Sequence, residues 1–243
     1  VQVYCDFSGY TDMAIAVGRL LGYRLPPNFD FPFVARNPSD FWRRWHVSFS
    51  SWLRDYLFPA LPGSRQYAAM RWLNTLFIML AAGLWHGGRW TFVLWGAAHG
   101  LLLVVHDAYG TLRKKRNPGY RPATGLVATT LSIFAMQSAL LVTMIFFGSR
   151  TVEQAWTAIQ KLVYFDGVFA FSGMALPEIE GGRAIGLLFA FAILHLAGAR
   201  FGSADGRLAR APLWATSIAC ILFGFATYCL WPLDEAPFIY QQF

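Results

Sequence analysis

Charged residues are scarce in this chain. They make up 14% of its 243 residues, whereas hydrophobic residues make up 56%. An average soluble domain contains roughly 25% charged residues, so this chain cannot cover itself with a water-facing surface. Much of it must therefore face lipid or other protein, which excludes a disordered chain and argues against a soluble domain.

Cysteine is also rare, and potential metal ligands are not grouped. The three cysteines, Cys5, Cys220 and Cys229, show neither a disulfide framework nor metal-ligand spacing. His99 and His106 would share one face of a helix, but no third ligand accompanies them in the sequence. We therefore expect no bound metal and no resident cofactor.

The sequence lacks a basic patch of the kind that binds nucleic acid. Its formal net charge is +7, but the basic residues are dispersed along the chain and most of them are arginine. Nucleic-acid-binding domains instead group their basic residues on one face. Loops beside a bilayer explain the charge better, because cytoplasmic loops are enriched in Lys and Arg. We therefore expect membrane lipids, and not nucleic acid, as partners.

Long apolar runs are the main feature that is present. A membrane-spanning helix needs about 20 mostly apolar residues. Five stretches approach or meet this length: 72–85, 91–105, 125–148, 184–199 and 213–231. Residues 1–23 form a weaker candidate, because Asp6, Asp12 and Arg19 interrupt them. The pattern predicts an all-α, polytopic membrane protein.

The charges of the connecting segments predict an orientation in the membrane. Residues 109–124 carry five basic side chains and no acidic one, so they are predicted to be cytoplasmic. Residues 149–182 carry four acidic and two basic side chains and are predicted to lie outside. The alternation then places the turn at 87–89 outside and residues 54–71 in the cytoplasm.

Two further segments have the pattern of interfacial helices. Residues 151–165 are amphipathic at helical spacing. On a continuous helix over residues 40–58, large aromatic side chains share one face and polar side chains share the other, which is typical of a helix in the membrane surface. Ser39 is predicted to cap this helix, and Asp40 suits its positive N-terminus.

Two histidines lie in settings that suggest chemistry. His86 lies where an apolar run breaks at Gly87, and an uncharged imidazole in such a place can act as a general base, although it can also cap the helix. His46 lies on the apolar face of the 40–58 helix, where a surface helix does not need an imidazole. His106 and His195 are predicted to be structural.

Four blocks of sequence form a recognisable series. They are residues 4–14 (YCDFSGYTDMA), residues 41–48 (FWRRWHVS) running into 52–57 (WLRDYL), residues 83–87 (GLWHG) followed by 90–96 and 99–100, and residues 237–243 (PFIYQQF). Their order and content closely resemble the membrane-bound O-acyltransferase (MBOAT) family, in its alginate O-acetyltransferase-type branch. The resemblance runs from the first residue to the last.

The resemblance implies a ring of tilted helices around a tunnel, with His86 as the catalytic residue and His46 as its partner. It implies that residues 1–243 are the C-terminal part of a single MBOAT transmembrane domain whose N-terminal helices precede this chain. Proteins of this branch pass an acetyl group across the bacterial cytoplasmic (inner) membrane. Extracytoplasmic partner proteins then complete O-acetylation of an exopolysaccharide such as alginate.

We expect His86 to remove the proton from an acceptor hydroxyl as its oxygen attacks an acyl thioester, and acetyl-CoA is the expected donor. His46 is expected to position the acyl carbonyl or to bind the donor. Other side chains are expected to bind the donor or to line the tunnel: Arg43, Arg44, Trp45, Arg54, Asp55, Trp85, Trp90 and His99. For the arginines, contact with anionic lipid headgroups is an equal alternative.

Three other functions remain open at this point, and of these a lipid or protein acyltransferase of the same family is disfavoured by the alginate-type blocks. A D-alanyl transfer protein for teichoic acids, from the same superfamily, would dock a cytoplasmic carrier protein at the helix over residues 42–56. A non-enzymatic component of polysaccharide export would tolerate replacement of both His46 and His86.

Overall fold

The computed structural model describes residues 1–63, 66–122, 124–164 and 181–202, together with positions 212, 217, 218 and 221. Regular secondary structure in these ranges is helical, which confirms the predicted all-α fold. The helices are α1 (Gln2–Leu20), α2 (Pro38–Arg44), α3 (Val47–Trp52), α4 (Phe58–Ala60), α5 (Ala68–His86), α6 (Trp90–Arg116), α7 (Leu126–Gly148), α8 (Val152–Tyr164) and α9 (Gly181–Phe201). A 3-10 turn (Pro32–Val34) precedes α2, and a π-helical turn (Leu53–Leu57) joins α3 to α4.

Three of the described helices, α5, α6 and α7, are long and apolar enough to cross a membrane. They confirm the spans predicted at 72–85, 91–105 and 125–148. Large apolar side chains on them, such as Phe77, Val105 and Phe134, are exposed, as expected for surfaces that face lipid. Helix α6 has 27 residues. At about 1.5 Å per residue it extends roughly 40 Å, so its basic last turn projects beyond the hydrocarbon core of about 30 Å.

The remaining predicted segments fare differently. Residues 1–23 do form a helix, α1, but its composition does not qualify it as a span. The span predicted at 184–199 lies within α9, whose described apolar part covers Leu188–Phe201. The C-terminal block 237–243 and all of the span at 213–231 except positions 217, 218 and 221 lie outside the described residues. The amphipathic segment predicted at 151–165 is helical over α8, with Ala155 buried and Trp156 exposed.

Helices α5 and α6 form a hairpin in which the two backbones touch. A Cβ atom added to Gly83 would come within 3.0 Å of the carbonyl oxygen of Phe92, and one added to Gly96 would meet the carbonyl oxygen of Met79 equally closely. Small residues allow this approach, as they commonly do between helices in membranes. Gly87, with a φ of +149°, makes the turn between the two helices.

The open end of the same hairpin is tied by a polar cluster. Arg71 on α5 donates to Asp107 on α6 at 2.8 Å, and the indole N–H of Trp72 donates to the same carboxylate oxygen at 2.7 Å. The predicted cytoplasmic segments 54–71 and 109–124 therefore adjoin the same end of the hairpin. The predicted external turn lies at the other end.

The continuous helix predicted over residues 40–58 is wrong. Helix α2 begins at Pro38, and its cap is Asn37, whose side-chain oxygen accepts from the backbone N–H of Asp40 at 2.8 Å, so Ser39 is not the cap. The helix ends at Arg44, and His46 adopts a left-handed backbone with a φ of 45° before α3 begins. We refer to Trp45 and His46 as the α2–α3 corner.

Hydrogen bonds from the preceding loop stabilise this corner. The carbonyl oxygen of Arg44 accepts from the backbone N–H of Asp30 at 3.0 Å, and the backbone N–H of Val47 donates to the carbonyl oxygen of Asn28 at 2.9 Å. The Asn28 side chain also accepts from the N–H of Ser48 at 3.0 Å. These bonds satisfy backbone groups that the break in the helix would otherwise leave without partners.

Candidate active site

His86 lies at the last turn of α5, in a pocket of aromatic rings from three helices. Its ring meets Trp95 of α6 edge-on at a centroid distance of 5.2 Å and Phe147 of α7 at 5.1 Å. Phe92 lies 6.1 Å away, and its side chain is buried. The turn at Gly87 ends the helix at this point, so the imidazole stands at the end of the hairpin and is only partly covered.

His46 occupies the α2–α3 corner. Its ring lies edge-on to Phe7 at 4.7 Å and stacks on Phe49 at 5.1 Å. Its Nδ1 atom is buried and has no hydrogen-bond partner within the described part of the chain. Burial lowers the pKa of His46 to about 4, so the imidazole is neutral at physiological pH. A neutral imidazole offers one N–H donor and one acceptor nitrogen.

The fold brings these two histidines together, although 40 residues separate them in the sequence. Trp85 lies between them: its ring is 6.4 Å from that of His46 and 4.9 Å from that of His86. Phe49 stacks on Trp85 at 4.8 Å and so joins α3 to the end of α5. Of the residues predicted for the site, His46, His86 and Trp85 therefore form one cluster. We call His46 and His86 the histidine pair.

His99 lies directly behind the histidine pair. It is fully buried on α6, and its ring lies 4.9 Å from that of Trp95, which in turn contacts His86. Two other predicted residues lie elsewhere. Trp45 is buried against Phe29 and Phe41 in the core beside α2. Trp90, at the start of α6, is 74% exposed.

The three predicted arginines have different surroundings. Arg44 is paired with Asp40 at 3.0 Å and with Asp30 at 3.3 Å, which makes it part of the α2 framework. Arg54 is paired with its neighbour Asp55 at 2.9 Å on the surface. Arg43 is exposed and forms no ion pair with any residue that the structure describes.

A cavity of about 430 Å³ opens beside these arginines. Its lining comes from α2, α3, the π-helical turn, α4, α5 and α6, and its two charged lining residues are Arg43 and Arg54. Trp42 lines the same cavity and also meets the ring of His99 at 5.3 Å. The cavity therefore reaches from two guanidinium groups to Trp42, whose ring contacts His99.

Sequence reasoning missed two rings of the site. Phe147 contacts His86, but it belongs to a uniformly apolar helix in which no pattern distinguishes one phenylalanine from another. Phe49 was placed on an aromatic face, but its contact with Trp85 depends on the α2–α3 corner, which the periodicity does not show. Among the described residues, no group of three His, Cys, Asp or Glu side chains could hold a metal ion.

Known proteins match this chain over much of its length. Residues 1–149 match the model of the membrane-bound O-acyltransferase family. The chain is 36% identical over 200 residues to an Azotobacter vinelandii protein named "Probable alginate O-acetylase AlgI", which covers 82% of this chain and 38% of that protein. It is 36% identical over 167 residues to the peptidoglycan O-acetyltransferase of Helicobacter pylori, covering 69% of this chain and 30% of that protein.

A third relative differs in its named substrate. The teichoic acid D-alanyltransferase of Streptococcus thermophilus is 39% identical over 122 residues, which cover 47% of this chain and 29% of that protein. The chain thus spans less than two fifths of the length of these relatives. The family match covers the helices that carry both histidines, and the chain belongs to the membrane-bound O-acyltransferase family.

Proposed function

We propose that this chain forms the catalytic part of a membrane O-acetyltransferase in the bacterial cytoplasmic membrane. The enzyme moves an acetyl group from a cytoplasmic thioester donor, acetyl-CoA, to a hydroxyl used in O-acetylation of an alginate-like exopolysaccharide. The observation that carries the proposal is the histidine pair: His46 and His86 come from distant segments and meet across Trp85. Extracytoplasmic acetyltransferases are its proposed protein partners.

In the proposed reaction, His86 accepts the proton of the acceptor hydroxyl while the hydroxyl oxygen attacks the acetyl carbonyl carbon. A C–O bond forms and the C–S bond of the thioester breaks. The thiolate leaves and takes up the proton held by His86. His46, which is neutral, can donate its ring N–H to the carbonyl oxygen as negative charge develops there.

The cavity supplies a route for the donor. Its mouth carries Arg43 and Arg54, and guanidinium groups suit the phosphates of a coenzyme A donor. The other lining side chains are largely apolar and suit the uncharged arm that carries the thioester. Trp42 also lines the cavity, and its ring contacts Trp95, which in turn contacts His86.

Replacement of Arg43 by Gln is expected to raise the KM for acetyl-CoA about tenfold with little change in kcat, because a hydrogen bond to a charged group contributes roughly 1.5–3 kcal/mol. The measurement is initial-rate kinetics of the full-length protein in vesicles. Arg116→Gln is the matched control, since it removes the same charge from the exposed end of α6. Equal effects of both changes would favour contact with anionic lipid instead.

The proposed function is tested with the full-length protein in inside-out membrane vesicles that also contain its extracytoplasmic partners and polymer. Acetyl-CoA labelled in the acetyl group is added to the cytoplasmic face, and label on the polymer is measured. We expect label to reach the polymer from acetyl-CoA and none to be transferred from a D-alanyl carrier protein. Transfer from the carrier protein alone would support the teichoic acid alternative, and transfer from neither would support a role in export.

A further inference from the structure

His99 is buried without the partners that a buried imidazole needs. Its side chain is fully inaccessible to solvent, and neither Nδ1 nor Nε2 has a hydrogen-bond partner among the residues that the structure describes. Phe41 stacks on its ring at 6.1 Å, while Trp42 and Trp95 lie at 5.3 Å and 4.9 Å. Buried polar side-chain atoms in native proteins nearly always have a partner, so these two nitrogens require an explanation.

The two indoles beside His99 share this property. The Nε1 atoms of Trp42 and Trp95 are buried, and in the described ranges neither has a hydrogen-bond partner. The two indole rings lie 6.0 Å apart. Three neighbouring rings from α2 and α6 therefore carry four polar nitrogens that no described protein group satisfies. Aromatic packing alone does not explain this arrangement, because phenylalanine would fill the same space without burying unpaired nitrogens.

The chemistry of these atoms defines the ligand that would fit. An indole N–H can only donate, and a neutral imidazole offers one donor and one acceptor. A ligand that accepts from the indoles must carry an oxygen with free lone pairs. The side chains whose rings contact His99 are all uncharged. Such surroundings favour an uncharged oxygen over a phosphate or a carboxylate.

We propose that His99, Trp42 and Trp95 form a binding site for one uncharged oxygen atom behind His86. The oxygen belongs either to an uncharged carbonyl in the donor arm that carries the thioester or to a bound water. The first source rests on the proposed function and the second does not. Trp95 contacts both His99 and His86, and Trp42 lines the donor cavity, so an oxygen held here lies between the donor route and the histidine pair. His99 acts as a positioning residue.

Two replacements of His99 separate a polar role from packing. His99→Phe keeps an aromatic ring in an aromatic environment and removes both nitrogens, whereas His99→Gln keeps a donor and an acceptor. We expect the Phe variant to lose at least tenfold in kcat/KM for acetyl transfer by the full-length protein, with an unchanged melting temperature. The Gln variant should stay within a few-fold of the wild type. Full activity of the Phe variant would overturn the proposal.

Ultraviolet resonance Raman spectroscopy tests the site without relying on activity. The indole ring vibrations that respond to N–H hydrogen bonding are measured in the full-length protein, and the signals of Trp42 and Trp95 are isolated by subtracting the spectra of Trp42→Phe and Trp95→Phe variants. Hydrogen-bonded signals that change when acetyl-CoA is added identify the donor oxygen. Hydrogen-bonded signals that do not change with acetyl-CoA, together with an infrared O–H stretching band that shifts on exchange into H₂¹⁸O and is absent from the Trp42→Phe and Trp95→Phe variants, identify water.

Indole signals without hydrogen bonds, both with and without acetyl-CoA, would overturn the site. Hydrogen-bonded signals that do not change with acetyl-CoA and are not accompanied by such an infrared band would also overturn it, because they would indicate a protein partner. These spectra remain informative if the proposed acetyl transfer is itself wrong. That separate failure would appear in the vesicle assay as absence of label on the polymer.

Discussion

Replacement of His86 by Ala in the full-length protein is expected to reduce acetylation of the polymer at least 100-fold at normal protein levels. A positioned general base contributes typically 10²–10⁴-fold to such a reaction, and a hydroxyl without one is a poor nucleophile. Trp95 and Phe147 flank the ring of His86, and neither carries a basic group that could take over its role. Acetyl groups released from purified polymer by mild alkali provide the measurement.

The control for this change is His106→Ala. His106 lies on α6, two turns beyond His99, and it has no ring contact with the histidine pair in the described structure. It is therefore expected to retain acetylation within a few-fold of the wild type. If His86→Ala retained full acetylation at normal protein levels, the catalytic assignment would be wrong, and the export alternative would gain support.

The second large effect is expected on stability, from Gly96→Ala. The added Cβ would come within 3.0 Å of the carbonyl oxygen of Met79, which belongs to the backbone and cannot rotate away. Helices α5 and α6 would have to separate, and overpacking of this kind typically costs 1–3 kcal/mol or more. Since His86 and His99 lie on the two sides of this contact, acetyl transfer should also fall. Thermal unfolding of the purified protein in detergent measures the first effect.

Gly110→Ala is the matched control, because it makes the same change on the same helix. A Cβ atom at Gly110 meets nothing within 4 Å. Alanine favours a helix over glycine by about 1 kcal/mol, so this variant should be as stable as the wild type or slightly more stable. Equal melting temperatures for the two variants would show that α5 and α6 do not approach as closely as described here.

Sequence reasoning succeeded where a physical requirement acts over a continuous run of residues. Lipid requires long apolar helices, and α5, α6 and α7 were predicted close to their observed positions for that reason. His86 was also identified correctly as lying at a helix end, because the glycines that end α5 are visible in the sequence. Its catalytic role is still a prediction.

The α2–α3 corner could not be predicted in the same way. A helix pattern repeats every 3.6 residues and does not show whether the backbone turns between two repeats. The corner depends on backbone hydrogen bonds to Asn28 and Asp30, which lie in a loop without periodicity. For the same reason Arg44 was expected to meet the donor, whereas the structure pairs it with Asp30 and Asp40.

The close contact between α5 and α6 has a mechanical consequence for the histidine pair. Two helices in backbone contact cannot slide past each other without a clash at Gly83 or Gly96, so the hairpin behaves as a stiff block that carries His86. His46 instead belongs to short helices that meet at a corner. We therefore expect any change in the separation of the two imidazoles during turnover to come from movement of α2 and α3 together against the hairpin, with His46 as the movable member of the pair and His86 as the fixed one.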